Sequence, residues 1–173
     1  MTLATLQQRI RDRLSPEWLT PSQRQVWEQL HRFHGPPHRV VNVYGPRGSG
    51  KSFLGWLMHR EGHATYSKWT GERRPIHPRL VLDNAPADRA SARSVRPLVD
   101  ELSIRQIILL SRQRVDEPDM PTFALIVTED DLDHFRANLY RHLNIIIPTV
   151  ELEYRNFREA LETYLTGEEN GRL

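Results

Sequence analysis

Eight consecutive residues, Gly45, Pro46, Arg47, Gly48, Ser49, Gly50, Lys51 and Ser52, place glycines, a lysine and a hydroxyl at the spacing G-x4-G-K-[ST]. Each type has a chemical reason. Glycines let main-chain N–H groups curl around an anion with no Cβ in the way, and a helix starting at the lysine adds its positive end. The Lys51 ammonium then reaches further phosphate oxygens, and the Ser52 hydroxyl can ligate Mg²⁺. The chemistry implied is a grip on a polyphosphate tail, with Gly45 to Ser52 and the next amide, Phe53, as candidate binding residues. The motif carries weight only between a strand and a helix. Here an apolar run, Val40 to Tyr44, precedes it, and an amphipathic stretch follows, pairing Phe53 with Leu57 and Leu54 with Met58.

A second feature stands 32 residues after Lys51, where the apolar run Leu80 to Leu82 ends on Asp83. An acid at the end of a buried strand is the group that holds a magnesium shell in such sites, so Ser52 and Asp83 are the candidate metal ligands. Many ATPases carry glutamate at the next position to polarise the attacking water. Asn84 stands there in this chain; it can orient water but cannot take its proton, so any hydrolysis is expected to be slow or completed by another group.

The elements that must position these groups are legible in the periodicity. Leu3, Leu6, Ile10 and Leu14 fall at helical spacing, as do Val26, Trp27, Leu30 and Phe33. The second helix has Thr20 as N-cap, Pro21 at its first position and Gln23 placed for a capping box. "HGPPH" (34–38) stops it. Strands are predicted at 39–44, weakly in "HATYSKW", at "LVLD", "RQIILLSR" and "TFALIVT" (122–128). Helices are predicted at 51–60, over "SARSVRPLVDEL" with Pro97 near the first turn, over "TEDDLDHFRANLYRHL" capped by Thr128, and at about 154–165. "NIIIPTVEL" reads equally as a sixth strand or as an extended link, and "TGEENGRL" as a frayed end. Alternating strands and helices imply an α/β fold with a parallel sheet. The expected division is an N-terminal helical segment (1–37), a core (38–150) and a C-terminal helix with an acidic tail (151–173).

With 38% hydrophobic and 27% charged residues in 173, and no apolar run near the ~18 residues of a membrane span, a soluble protein with no membrane partner is expected. The opening "MTLATLQQRIRDRL" lacks the layout of a secretory signal, and it reads as a cytoplasmic start. There is no cysteine, which removes disulfides and thiolate chemistry. Residues 1–80 hold 13 Lys+Arg against 5 Asp+Glu, and residues 81–173 hold 11 against 17. Such asymmetry suits nucleic acid at one end, or contact between copies, or simple neutralisation within one fold.

"YGPRGSGKS", "LVLDNAP…VRPL" and "IILLSR" occur in the order found in the P-loop ATPases of the AAA+ and STAND groups. The chain resembles these over about residues 34–128, and especially the NB-ARC-like switch ATPases. The resemblance implies a three-layer P-loop NTPase fold whose five parallel strands lie in the order 5-1-4-3-2. It implies ATP rather than GTP, and a nucleotide state that sets assembly with other protein subunits, like or unlike. Ser111 and Arg112 match its sensor position, with Arg112 near the γ-phosphate. Only 45 residues follow Thr128, where those relatives continue into a lid; a minimal core completed by another chain is the expectation.

Neither Lys51 nor Lys68 is followed two positions on by Asp, so a guanine-recognition stretch is missing. Arg136 and Arg141 are candidates for an arginine supplied in trans to a neighbouring copy's phosphates, against the plainer role of surface arginines. His31, His34 and His38 lack acidic or Cys partners for a metal. "HREGH" has its acid in the wrong place for a metalloprotease, and the four tryptophans read as core or interface anchors. The leading function is an ATP-binding, slowly hydrolysing switch or assembly subunit, with nucleic acid as a further candidate partner. The alternatives are a small-molecule kinase and a degenerate module that binds nucleotide without turnover.

Overall fold

A computed structural model describes residues 1–33, 39–147 and 155–169. Its middle layer is an all-parallel sheet of β1 (Val40–Tyr44), β2 (Thr65–Lys68), β3 (Arg79–Ala85), β4 (Gln106–Ser111) and β5 (Thr122–Ala124). The spatial order is β2-β3-β4-β1-β5, which is 5-1-4-3-2 read from the other edge, as expected. Among the described residues, six helices flank it: α1 (Leu3–Asp12), α2 (Pro21–Arg32), α3 (Lys51–Arg60), α4 (Arg89–Glu101), α5 (Glu129–Leu143) and α6 (Phe157–Glu169).

The central strands are apolar at nearly every position because both sheet faces are covered. Alternate side chains serve opposite layers. Val41, Val43, Val81, Ile108 and Leu110 join the core shared with α1, α2, α3, α5 and α6. Leu80, Leu82, Ile107 and Leu109 point the other way, onto Val95 and Val99 of α4. The N-terminal helices belong to the first of these cores through Leu6, Ile10, Leu14 and Trp18, all buried. Between α1 and α2 the chain makes a short 3₁₀ turn, Pro16–Trp18.

Among the polar residues buried in the sheet, Asn42 ties two strands and a loop together. Asn42 of β1 is fully buried, and its Nδ2 donates to Leu109 O (3.1 Å) and to Ser111 Oγ (2.8 Å). Its Oδ1 accepts from the Val115 N–H at 3.0 Å. Buried side-chain amides are tolerated when satisfied in this way, and here the bonds lock the end of β4 and the loop after it onto β1.

Several boundaries differ from the periodicity. β5 covers residues 122–124 rather than 122–128: after the Leu125 N–H bonds Tyr44 O (2.7 Å) the chain departs, leaving Ile126 63% exposed. Pro97 sits deep within α4 rather than near its first turn, because Asp88 caps the helix earlier, accepting from the Ser91 N–H. Proline is accommodated there on the exposed side, where water can satisfy the carbonyl one turn back. The last helix runs Phe157–Glu169, so residues 166–169 of the tail expected to fray are helical. "HGPPH", with His34 and His38, and residues 148–154 of the ambiguous segment lie outside the described residues; no strand forms over 144–147.

Candidate functional site

β1 ends at Tyr44 and α3 begins at Lys51, so the glycine loop spans the gap between a buried strand and a helix start. Its shape depends on missing side chains. The Gly45 N–H bonds Ser111 O (3.3 Å), and a Cβ on Gly45 would run into the Leu125 carbonyl oxygen. Gly48 (φ +83°) and Gly50 (φ +87°) are left-handed, a conformation that costs other residues free energy. Gly50 also serves as the N-cap of α3 and brings no side chain to cap it. The first-turn amides of Lys51, Ser52 and Phe53 therefore keep their donors for something outside the helix, reinforced by the helix's positive end.

Lys51 Nζ folds over the loop and donates to Gly45 O (2.7 Å), Pro46 O (2.8 Å) and Ser49 Oγ (3.2 Å). Burial pulls its ammonium down to about 8; Asp83 opposes this, and the charge of Arg112 adds to it. Lys51, Asp83 and Arg112 are thus electrostatic neighbours although β3 and β4 bring two of them from far along the chain.

Asp83, 4% exposed, lies two residues before the end of β3. Its Oδ1 accepts the Asn84 N–H at 2.8 Å, and its Oδ2 accepts the Tyr66 hydroxyl at 2.5 Å. Burial first, then the bond to Asp83, pushes the Tyr66 phenol well above its ordinary range, so it remains a donor. A bulge falls between Asp83 and Ala85, with Asn84 left-handed at φ +59° and exposed. Asparagine is among the few non-glycine residues that adopt this conformation readily.

These groups face a cleft of about 890 Å³. Its lining includes the polar Lys51, Ser52, Asp83, Asn84 and Arg112, with Arg47 and Gly48 at the loop. It also includes the apolar Ile10, Trp18, Phe53, Phe135, Phe157 and Leu161. Gly45, Pro46 and Ser49 shape the loop without lining the cleft. Ser111 lines it, but its hydroxyl accepts from Asn42 and donates to Gln113 O (2.6 Å), which leaves Arg112 as the outward group at that position. Arg136 and Arg141 lie on α5 away from the cleft wall; Arg136 donates to Asp133 at 2.7 Å, and Arg141 is exposed.

Sequence reasoning did not place Gln23, Tyr66, Phe157 or Arg158 here. The Phe157 N–H bonds Gly48 O at 3.2 Å, and Asn156 occupies the space a Gly48 side chain would need. Gln23 fills the space beside Gly50 while its Oε1 accepts the Thr20 N–H (3.1 Å). The loop is therefore seated between α2 and α6. Arg158 lines the cleft while pairing with Glu162 (2.6 Å). No local pattern marks these residues, since each reaches the loop only through packing.

No family model matches the chain, and no curated protein matches it significantly. Among solved structures it is similar to AMPPCP-bound DnaA from Aquifex aeolicus, with a TM-score of 0.60 and 14% identity over 92% of this chain and 68% of that one. It is also similar to a DNA replication initiation factor, with a TM-score of 0.59 and 12% identity over 94% of this chain and 64% of that one. At such identities the likeness speaks for the fold and carries no assignment to the STAND or NB-ARC-like subgroup. The chain shares the fold of these structures, an α/β architecture built on a five-stranded parallel sheet in the order β2-β3-β4-β1-β5.

Proposed function

We propose that this protein binds ATP with Mg²⁺ in the cleft and serves as a nucleotide-dependent switch or assembly subunit that turns over slowly. One observation carries the reading: Lys51, the uncapped first turn of α3 and the buried Asp83 converge on the same cleft. The donors suit a polyphosphate chain, and the apolar lining around Phe53 suits a flat base. Ser52 and Asp83 are the residues that would hold Mg²⁺, a hydroxyl and a carboxylate being the hard oxygen donors it prefers. Bound there, the ion would supply charge neutralisation at the phosphates. A protein of similar fold carries an ATP analogue, which supports nucleotide as the ligand.

Lys51 and Arg112 would contact the terminal phosphates, and Asn84 would orient water without deprotonating it. Asn84 also favours a second reading, in which nucleotide is held and never hydrolysed. Partners on the switch reading are further protein subunits, with Arg136 and Arg141 offered to a neighbouring copy. Nucleic acid is a further partner class, and a cytoplasmic setting fits. No helix among the described residues is long and apolar enough to cross a membrane.

The test is titration with labelled ATP and Mg²⁺, phosphate release with and without DNA, and sizing with and without nucleotide. Tight binding, slow release and a nucleotide-dependent change in size are expected. Transfer of phosphate to a small metabolite would instead identify a kinase. The Asp83→Ala variant should bind ATP with no dependence on Mg²⁺; a metal response that survives would count against the carboxylate's role.

pH provides a separate check. Free Lys51 loses its proton near pH 8, whereas a polyanion beside it keeps it protonated. Above pH 8, binding must take up a proton, so affinity should fall on the order of tenfold per pH unit, while staying nearly flat below pH 7. Calorimetric titrations at pH 7 and pH 9 would show this; equal affinities would mean Lys51 stays out of the contact.

A further inference from the structure

The bond from Tyr66 to Asp83 follows from no motif. Tyr66 lies on β2, the strand beside β3. Its ring sits in a built slot: a Cβ on Gly55 of α3 would lie 3.0 Å from it, and Trp56 meets it edge-on with ring centroids 6.3 Å apart. Packing therefore fixes where the hydroxyl points. It delivers one hydrogen bond to Asp83 Oδ2, while the bulge at Asn84 turns a main-chain N–H onto Oδ1. With one donor on each oxygen, the carboxylate can neither swing nor rotate freely, and each oxygen keeps a lone pair for a further partner.

We propose that Tyr66 is a positioning residue whose hydroxyl fixes the Asp83 carboxylate in the geometry Mg²⁺ requires, and so tunes the site for Mg²⁺ over Ca²⁺. This rests on the reading of the cleft as a Mg²⁺-nucleotide site. Mg²⁺ demands near-ideal octahedral geometry at about 2.0–2.1 Å, whereas Ca²⁺ accepts varied geometries at longer distances. A carboxylate released from its donor is thus a poorer partner for Mg²⁺ than for Ca²⁺. Removing an outer partner of a metal ligand costs roughly 10- to 100-fold in metal affinity.

The Tyr66→Phe variant deletes the hydroxyl and keeps the ring in its slot. ATP binding would be measured at varied Mg²⁺, at varied Ca²⁺ and in EDTA, with a thermal melt alongside. The half-saturating Mg²⁺ concentration is expected to rise about tenfold. The Ca²⁺ value should move much less, metal-free ATP affinity should stay near wild type, and the melting temperature should fall by only the several degrees that one lost hydrogen bond to a buried carboxylate costs. Equal losses for the two ions, or an unchanged Mg²⁺ response where wild type binds ATP, would overturn the role of Tyr66 alone. A wild-type protein that binds no ATP would overturn the reading of the cleft and this inference with it.

Discussion

Replacing Lys51 by alanine is expected to abolish measurable ATP binding, an affinity loss of at least about 100-fold. Charge-assisted hydrogen bonds contribute roughly 1.5–3 kcal/mol each, and ~1.4 kcal/mol is a factor of ten, so two phosphate contacts account for the loss. Lys51 stands out because it is one of two lysines among 24 basic residues, and because it already crosses the loop to bond Gly45 O and Pro46 O. Those bonds mean that the variant also loosens the empty loop. A thermal melt separates the effects: a shift of a few degrees with binding lost indicates a ligand contact, whereas unchanged ATP affinity would show that the glycine loop holds no phosphate.

Trp18→Ala should cost about 3–5 kcal/mol of folding stability. At roughly 2–4 °C per kcal/mol for a chain of this size, the melting temperature should fall by about 10 °C. Trp18 is 1% exposed, stacks on His142 with centroids 4.9 Å apart and meets Phe53 at 6.3 Å, and its carbonyl accepts from Asn138 Nδ2 at 3.2 Å. One side chain thus ties the N-terminal segment to α3 and α5, and it also lines the cleft. ATP affinity should fall together with stability. Denaturant melts that move by less than ~1 kcal/mol would mean that residues 1–33 do not share the core.

Asn84 illustrates how sequence and fold divide the information. The sequence identifies it as the residue after the acid, and its chemistry limits proton transfer. The left-handed backbone and the bulge that aim it are decided by how β3 leaves the sheet. Its main-chain N–H, which binds Asp83 Oδ1, is as much a part of the site as its side chain.

The glycine loop, Asp83 and the strands flanking them were readable from the residues themselves, whereas the sheet order was expected only from the resemblance to P-loop ATPases. Their requirements are local: a phosphate loop needs its glycines and lysine at fixed spacing, and strands buried on both faces must be apolar at nearly every position. Strand ends and helix limits were less legible, because capping by Asp88 or departure after Leu125 is settled by neighbours in space. The aromatic lining of the cleft, the seating of the loop between Gln23 and Phe157, and the bond from Tyr66 to Asp83 belong to tertiary structure entirely. Each joins residues far apart in sequence, so no spacing encodes it, and only the packing of helices and strands against one another brings the partners within reach.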